Sequence, residues 1–191
     1  MDTLELRARL ESGHPENYGW ALCCCFRNRM QAEEVLQRVY LKVLDGKAQY
    51  YGRATFKTWL FGVICKTAAD ERRRDILRRL RLISYGRRAN VPAAQEAPEK
   101  ALHRDESRRL FLQALDALPS RQRQVLHLVF YHDLSLSEAA EVMGLSVGSA
   151  RTHYERAKKA LRQRLKDTVL DENGWRARQD QGVFLRPETR G

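Results

Sequence analysis

Residues Leu134–Lys159 read LSLSEAAEVMGLSVGSARTHYERAKK. Ser135 with Glu138 three residues on is a capping box, and Ala139, Ala140, Val142 and Met143 follow as the apolar positions of a short helix. Gly144 supplies the left-handed conformation that stops it. Leu145 is placed to plug the space between two helices, Ser146 is a fresh N-cap, and a second helix begins near Val147. On that helix Ala150, Tyr154, Ala157, Leu161 and Leu165 form one apolar stripe. At about 100° per residue, Arg151, Thr152, Glu155, Arg156 and Lys159 lie on or toward the opposite face. Cap, glycine turn, second cap and basic outer face occur in the order of a helix-turn-helix. Such a motif lays its second helix in the major groove, which puts Arg151 and Thr152 near base edges. Arg156, Lys158, Lys159 and Arg162 sit further along and suit phosphates.

The charge balance agrees. The 191 residues hold 35 Lys+Arg against 24 Asp+Glu, a net charge of +11 that favours a polyanionic partner. That excess is concentrated in two places. Residues 66–90 carry nine Lys or Arg against Asp70, Glu71 and Asp75, and residues 146–167 carry seven against Glu155 and Asp167. Two separated basic surfaces imply two points of contact along a nucleic acid.

Helical periodicity dominates and β-branched alternation is nearly absent, so the expected fold is all-α: two small helical domains joined by a flexible linker. Between Ser84 and Pro98 the residues SYGRRANVPAAQEAP have a linker's composition. The expected boundaries are a first domain over 1–86, a linker over 87–105, a second domain over 106–167 and a polar tail over 168–191. Cys23, Cys24 and Cys25 are consecutive and Cys65 stands apart, which is neither a disulfide framework nor a CxxC pair. They read as small apolar fillers, with no metal site expected. No basic start followed by an apolar run opens the chain, and no stretch approaches the length of a membrane helix, so a cytoplasmic location is expected.

In the first domain Ala32, Val35, Leu36, Val39, Tyr40, Val43 and Leu44 are spaced for one buried helix face. Leu41 is an apolar residue among the outward-facing polar ones, a hint of a partner surface. After Asp45-Gly46, the segment KAQYYGRATFKTW interleaves Tyr50, Tyr51, Phe56 and Trp59 with Lys47, Arg53 and Lys57. Bases outside a duplex need π-faces to stack on and cations to hold their phosphates, and this segment offers both. Phe56, Leu60, Val63 and Ile64 repeat at helical spacing and are assigned to the core, while Tyr50, Tyr51 and Trp59 stay open between core and stacking. The same helix carries Lys66, Asp70 and Arg73 on its outer face, beside the aromatic loop.

Together these blocks resemble the extracytoplasmic-function (ECF) group of bacterial RNA polymerase sigma factors, over roughly residues 15–167. AEEVLQRVYLKVL at Ala32–Leu44 and TFKTWLFGVICKTAADERRR at Thr55–Arg74 are similar to the second conserved region, which opens and reads the −10 element. Leu118–Leu161 is similar to the fourth region, which reads the −35 element. The resemblance implies that Glu33, Glu34, Gln37 and Leu41, with Arg38 beside them, lie on a helix gripping the β′ clamp helices of core polymerase. Arg38 stands where the family usually has an acidic residue, and Lys66 where it often has Asn. Tyr50, Tyr51, Arg53, Lys57, Lys66 and Asp70 would handle the non-template strand at −10, with Trp59 and Arg73 adjoining. Ser149, Arg151, Thr152 and Arg156 match the −35 helix, which also carries Glu155, Lys158 and Lys159. The implied partners are core RNA polymerase (β′ clamp helices and β flap), promoter DNA and an anti-sigma factor that silences the protein until a stress signal arrives.

The rival reading is an ordinary helix-turn-helix regulator that binds duplex DNA without polymerase, usually as a dimer. No catalytic role is expected: HExxH, GxSxG, GxGxxG and P-loop patterns do not occur, and the five histidines are scattered. No cofactor is implied.

Overall fold

In the computed structural model, residues 2–84 and 105–167 are described, and among them every regular element is helical. The helices are α1 (Thr3–Ser12), α2 (His14–Cys24), α3 (Arg29–Leu44), α4 (Phe56–Ser84), α5 (Asp105–Asp116), α6 (Ser120–Leu126), α7 (Leu136–Met143) and α8 (Val147–Asp167), with a π-helical turn at His127–Tyr131 after α6. They fall into two compact units, one built from α1–α4 and the other from α5, α6, α8 and the greater part of α7. The expected linker and the polar tail lie outside the described residues, apart from Asp105, where α5 begins.

In the first unit α2, α3 and α4 pack pairwise, and α1 lies against α2 and α3. Asn28 caps α3, its side chain accepting from Gln31 N at 3.0 Å. Ala32, Val35, Leu36, Val39 and Val43 are then buried at the spacing the sequence predicts, whereas Tyr40 and Leu44, expected on the same face, are only half-buried. Thr55 starts α4 by accepting from Thr58 N at 3.1 Å. The α4 stripe needs a correction: Leu60 and Ile64 are buried, but Phe56 and Val63 are only half-buried. Phe56 instead joins Tyr50 and Trp59 in an aromatic cluster, with the Arg9 guanidinium 5.6 Å from its ring centroid. The deepest aromatic pair is Trp20 and Phe61, both 0% exposed. Their rings stack at 5.8 Å, and Trp20 Nε1 donates to Phe61 O at 3.0 Å.

All four cysteines are free and buried. Burial pushes the Cys25 thiol up to about 11, against the pull of Arg72, and raises Cys24 too, with Cys65 adding to the rise. Cys24 and Cys25 are thereby disfavoured as thiolates, the form that acts as nucleophile or ligand. The turn after α2 places Phe26 at φ 54° and Arg27 at φ 63°, left-handed conformations that cost non-glycine residues about 1–2 kcal/mol each. Hydrogen bonds from Arg27 N to Leu22 O (2.8 Å) and Asn28 N to Cys25 O (3.0 Å) hold the turn, with Arg72 over the Phe26 ring at 5.2 Å.

The second unit has its own core of Ala114, Leu118, Leu126, Ala157, Leu161 and Leu165, with Phe111, Leu115, Tyr154 and Ala160 packed against it. α8 crosses both α5 and α6 and so centres the unit. The capping box on α7 forms in both directions: Glu138 Oε2 accepts from Ser135 N at 2.9 Å, and Ser135 Oγ accepts from Glu138 N at 3.3 Å. Ser135→Ala should cost about 1 kcal/mol, read as a lowered urea midpoint at unchanged slope.

Candidate nucleic-acid interface

The turn between α7 and α8 sets the orientation of the basic helix. Gly144 lies at φ +62°, a conformation that strains any side chain, and Leu145 N donates back to Ala140 O at 2.9 Å. Ser146 Oγ then accepts from Ser149 N at 3.1 Å and donates to Ser149 Oγ at 2.9 Å, which starts α8. Ala150, Ala157, Leu161 and Leu165 turn inward, whereas Ser149, Arg151, Thr152, Glu155, Arg156 and Lys159 are exposed. The hydroxyl of Thr152 donates to Gly148 O at 3.0 Å, leaving an acceptor lone pair and a methyl group for a base edge. Lys158 differs from the rest of the basic set. It is half-buried, with Nζ 4.5 Å from the Tyr154 ring centroid and 3.0 Å from Glu155 Oε1. The Tyr154 ring in turn stacks on Phe130 at 5.9 Å. Lys158 and Glu155 therefore flank the exposed face, and Arg151, Thr152, Arg156 and Lys159 make it up.

A second cluster lies in the first unit, where the α3–α4 loop meets the start of α4. Gly46 and Gly52 take positive φ there, and Ala48 N bonds Lys42 O at 2.9 Å. The three aromatics left open by the sequence divide. Tyr50 is half-buried, edge-on to Phe56 at 5.5 Å and tilted on Trp59 at 5.3 Å, with its hydroxyl donating to Ala54 O at 2.7 Å. Tyr51 is 75% exposed, held only by its hydroxyl donating to Gln49 Oε1 at 2.5 Å. Trp59 is half-buried. Tyr50 and Trp59 thus make a platform from which Tyr51 projects.

The cations near this platform are not equivalent. Arg53, Lys66 and Arg73 are exposed, and Asp70 stands 3.9 Å from Arg73. Lys57 is engaged by Glu16 of α2 at 2.8 Å and lies 5.8 Å from the Phe61 ring centroid. A strand phosphate would have to displace Glu16 to reach it. Sequence spacing gave no sign of Glu16, because the pairing joins two different helices.

The third surface is the outer face of α3. Glu33, Glu34, Gln37 and Leu41 are exposed, Leu41 at 59%. Arg38 does not join them as a free cation: it donates to Glu34 at 2.6 Å and to Glu71 of α4. Burial opposes its charge, but Glu71 and Glu34 outweigh that and hold its pKa above the usual arginine value. Among the described residues no group of three or more His, Cys, Asp or Glu side chains is arranged to hold a metal ion.

The family model for sigma-70 region 4 matches residues 108–161, which contain the helix-turn-helix. ECF RNA polymerase sigma factor SigX of Bacillus subtilis (strain 168) is 29% identical over 163 residues, covering 82% of this chain and 84% of that protein. SigW of the same organism is 25% identical over 155 residues, covering 75% and 81%. Among solved structures, the sigma factor RpoE in complex with the anti-sigma factor NepR from Bartonella quintana aligns with TM-score 0.65 at 21% identity, over 88% of this chain and 99% of that one. CnrH in complex with the cytosolic domain of CnrY aligns with TM-score 0.54 at 20% identity, over 85% and 88%. Those structures share the fold, and the sequence alignments are longer than either helical unit. Over both helical units the chain is similar to ECF RNA polymerase sigma factors, and its second unit matches sigma-70 region 4.

Proposed function

We propose that this chain is a promoter-specificity subunit: it binds core RNA polymerase through α3, docks α8 in the −35 major groove and captures melted −10 bases with the loop around Tyr51. The observation that carries this reading is the reach of the likeness. An alignment of 163 residues to a sigma factor exceeds either unit alone, whereas a helix-turn-helix regulator need match only the second. Catalysis belongs to the core polymerase. This chain contributes differential binding, because an extruded strand gains stacking and charge contacts that duplex DNA lacks. Both solved neighbours were captured with a protein bound to them, in one case named as an anti-sigma factor. The same mode of silencing, released by a stress signal, is the proposed regulation here. A subunit serving core polymerase works in the cytoplasm, and none of the described helices is long and apolar enough to cross a membrane.

Binding to DNA with and without polymerase separates the two classes. A promoter fork with an unpaired −10 strand should be bound tightly only when core polymerase is present. Equal affinity for intact duplex without polymerase would favour the regulator. Within that assay Tyr51→Ala should leave core binding intact and weaken opening by about 1–3 kcal/mol, the usual worth of one stacked base. Permanganate reactivity of −10 thymines reports it, and unchanged reactivity would remove Tyr51 from the strand-capturing role. Tyr50→Phe, which keeps the ring but releases Ala54 O, should have a smaller effect.

A further inference from the structure

Two cationic side chains of α3, Arg38 and Lys42, stand one turn apart and reach across to α4. Arg38 donates through Nη1 to Glu71 Oε1 and through Nη2 to Glu34 Oε1, and Lys42 Nζ donates to Thr67 Oγ1 at 3.1 Å. Thr67 and Glu71 are also one turn apart, so the contacts are two rungs between antiparallel helices, laid along the apolar seam of Val35, Val39 and Val43. The Glu71 side chain is 16% exposed and takes a second cation, Arg74, at 2.8 Å. Two cations thus converge on one carboxylate, each through a charge-assisted hydrogen bond. The rungs join surfaces with different proposed tasks: the outer face of α3, including Glu34, and the stretch of α4 that carries Lys66 and Asp70 beside the aromatic loop.

We propose that Arg38 is a positioning residue that ties the polymerase-docking helix to the strand-handling helix, rather than a polymerase contact in its own right. This rests on the function proposed above. Its two forks are spent inside the protein, one orienting Glu34 and the other pinning Glu71. A rigid link matters because the aromatic loop must meet the strand at a fixed offset from the docked helix, and small misplacements weaken a preorganised site. Removing the tie leaves Glu71 with Arg74 and the apolar seam intact, so the unit still folds.

The test uses the full chain with core polymerase and a promoter carrying a fluorescent base analogue at −10, and compares R38A, E71Q and the double variant. Core affinity should stay within about 2-fold of wild type in E71Q, which alters no α3 side chain, and opening is read at saturating polymerase so that a change at Glu34 in R38A does not enter. Opening at saturating polymerase should fall about 5- to 10-fold in each single variant and no further in the double, because both substitutions break one link. E71Q keeps the size of Glu71 and serves if R38A melts early. Wild-type opening by R38A, a loss of core affinity in E71Q matching its loss of opening, or single defects that multiply in the double would each overturn the tie. A wild-type protein that fails to bind core polymerase would instead overturn the function on which the tie rests.

Discussion

Trp20→Ala is expected to destabilise the first unit by about 3–5 kcal/mol, a large share of the stability of a small helical domain. Trp20 is 0% exposed, stacks on Phe61 and spends its indole N–H on Phe61 O at 3.0 Å. Truncation removes the ring and its hydrogen bond together, and leaves a cavity between α2 and α4 that neighbouring side chains fill only in part. Trp20→Phe should cost less, because the stack survives and mainly the N–H is lost. Urea unfolding followed by circular dichroism reads both. The second unit has a separate core around Leu161. A loss below about 1 kcal/mol for Trp20→Ala would mean that α2 is not a main support of this unit.

The second large effect concerns the exposed face of α8. Arg151→Ala should cost about 1–3 kcal/mol at particular −35 positions, whereas Lys159→Ala should weaken binding evenly across sequences and flatten its salt dependence. The difference follows from placement. Arg151 is exposed in the first turns of α8, just after the Ser146 cap, where a recognition helix meets base edges; Lys159 is exposed two turns further on, where phosphates are met. Selection of −35 variants by the polymerase complex measures both substitutions. Identical base preferences for wild type and Arg151→Ala would remove Arg151 from sequence reading. Lys158→Ala is a useful contrast, since its ammonium is held over Tyr154 and against Glu155.

The helix-turn-helix was legible because each of its determinants is local. A capping box, a glycine at positive φ and a stripe repeating every turn all depend on residues within a few positions of one another, and each is present as read. The face of α3 was legible for the same reason. What escaped reading depends on long-range neighbours. The α1 and α2 helices carry weak periodicity, and the burial of Trp20 follows from Phe61, 41 positions away. Periodicity along α4 favoured Phe56 and Val63 over Phe61, yet a long helix that meets several neighbours buries different faces along its length. The resemblance set Lys57 among strand-handling residues and Arg38 beside polymerase-contacting ones, and spacing alone gave no sign that Glu16 and Glu71 stand opposite them. A sequence pattern shows which side chains share a helix face; it does not show which carboxylate the tertiary fold sets against them.

The most direct test of the central claim is transcription by purified core polymerase on a genomic promoter library, with and without this chain, followed by sequencing of the RNA 5′ ends. The account predicts new start points that share a −35 and a −10 motif, that depend on Arg151 for the first, and that weaken with Tyr51→Ala. Start points identical with and without the chain, from a preparation free of any bound inhibitor, would contradict it.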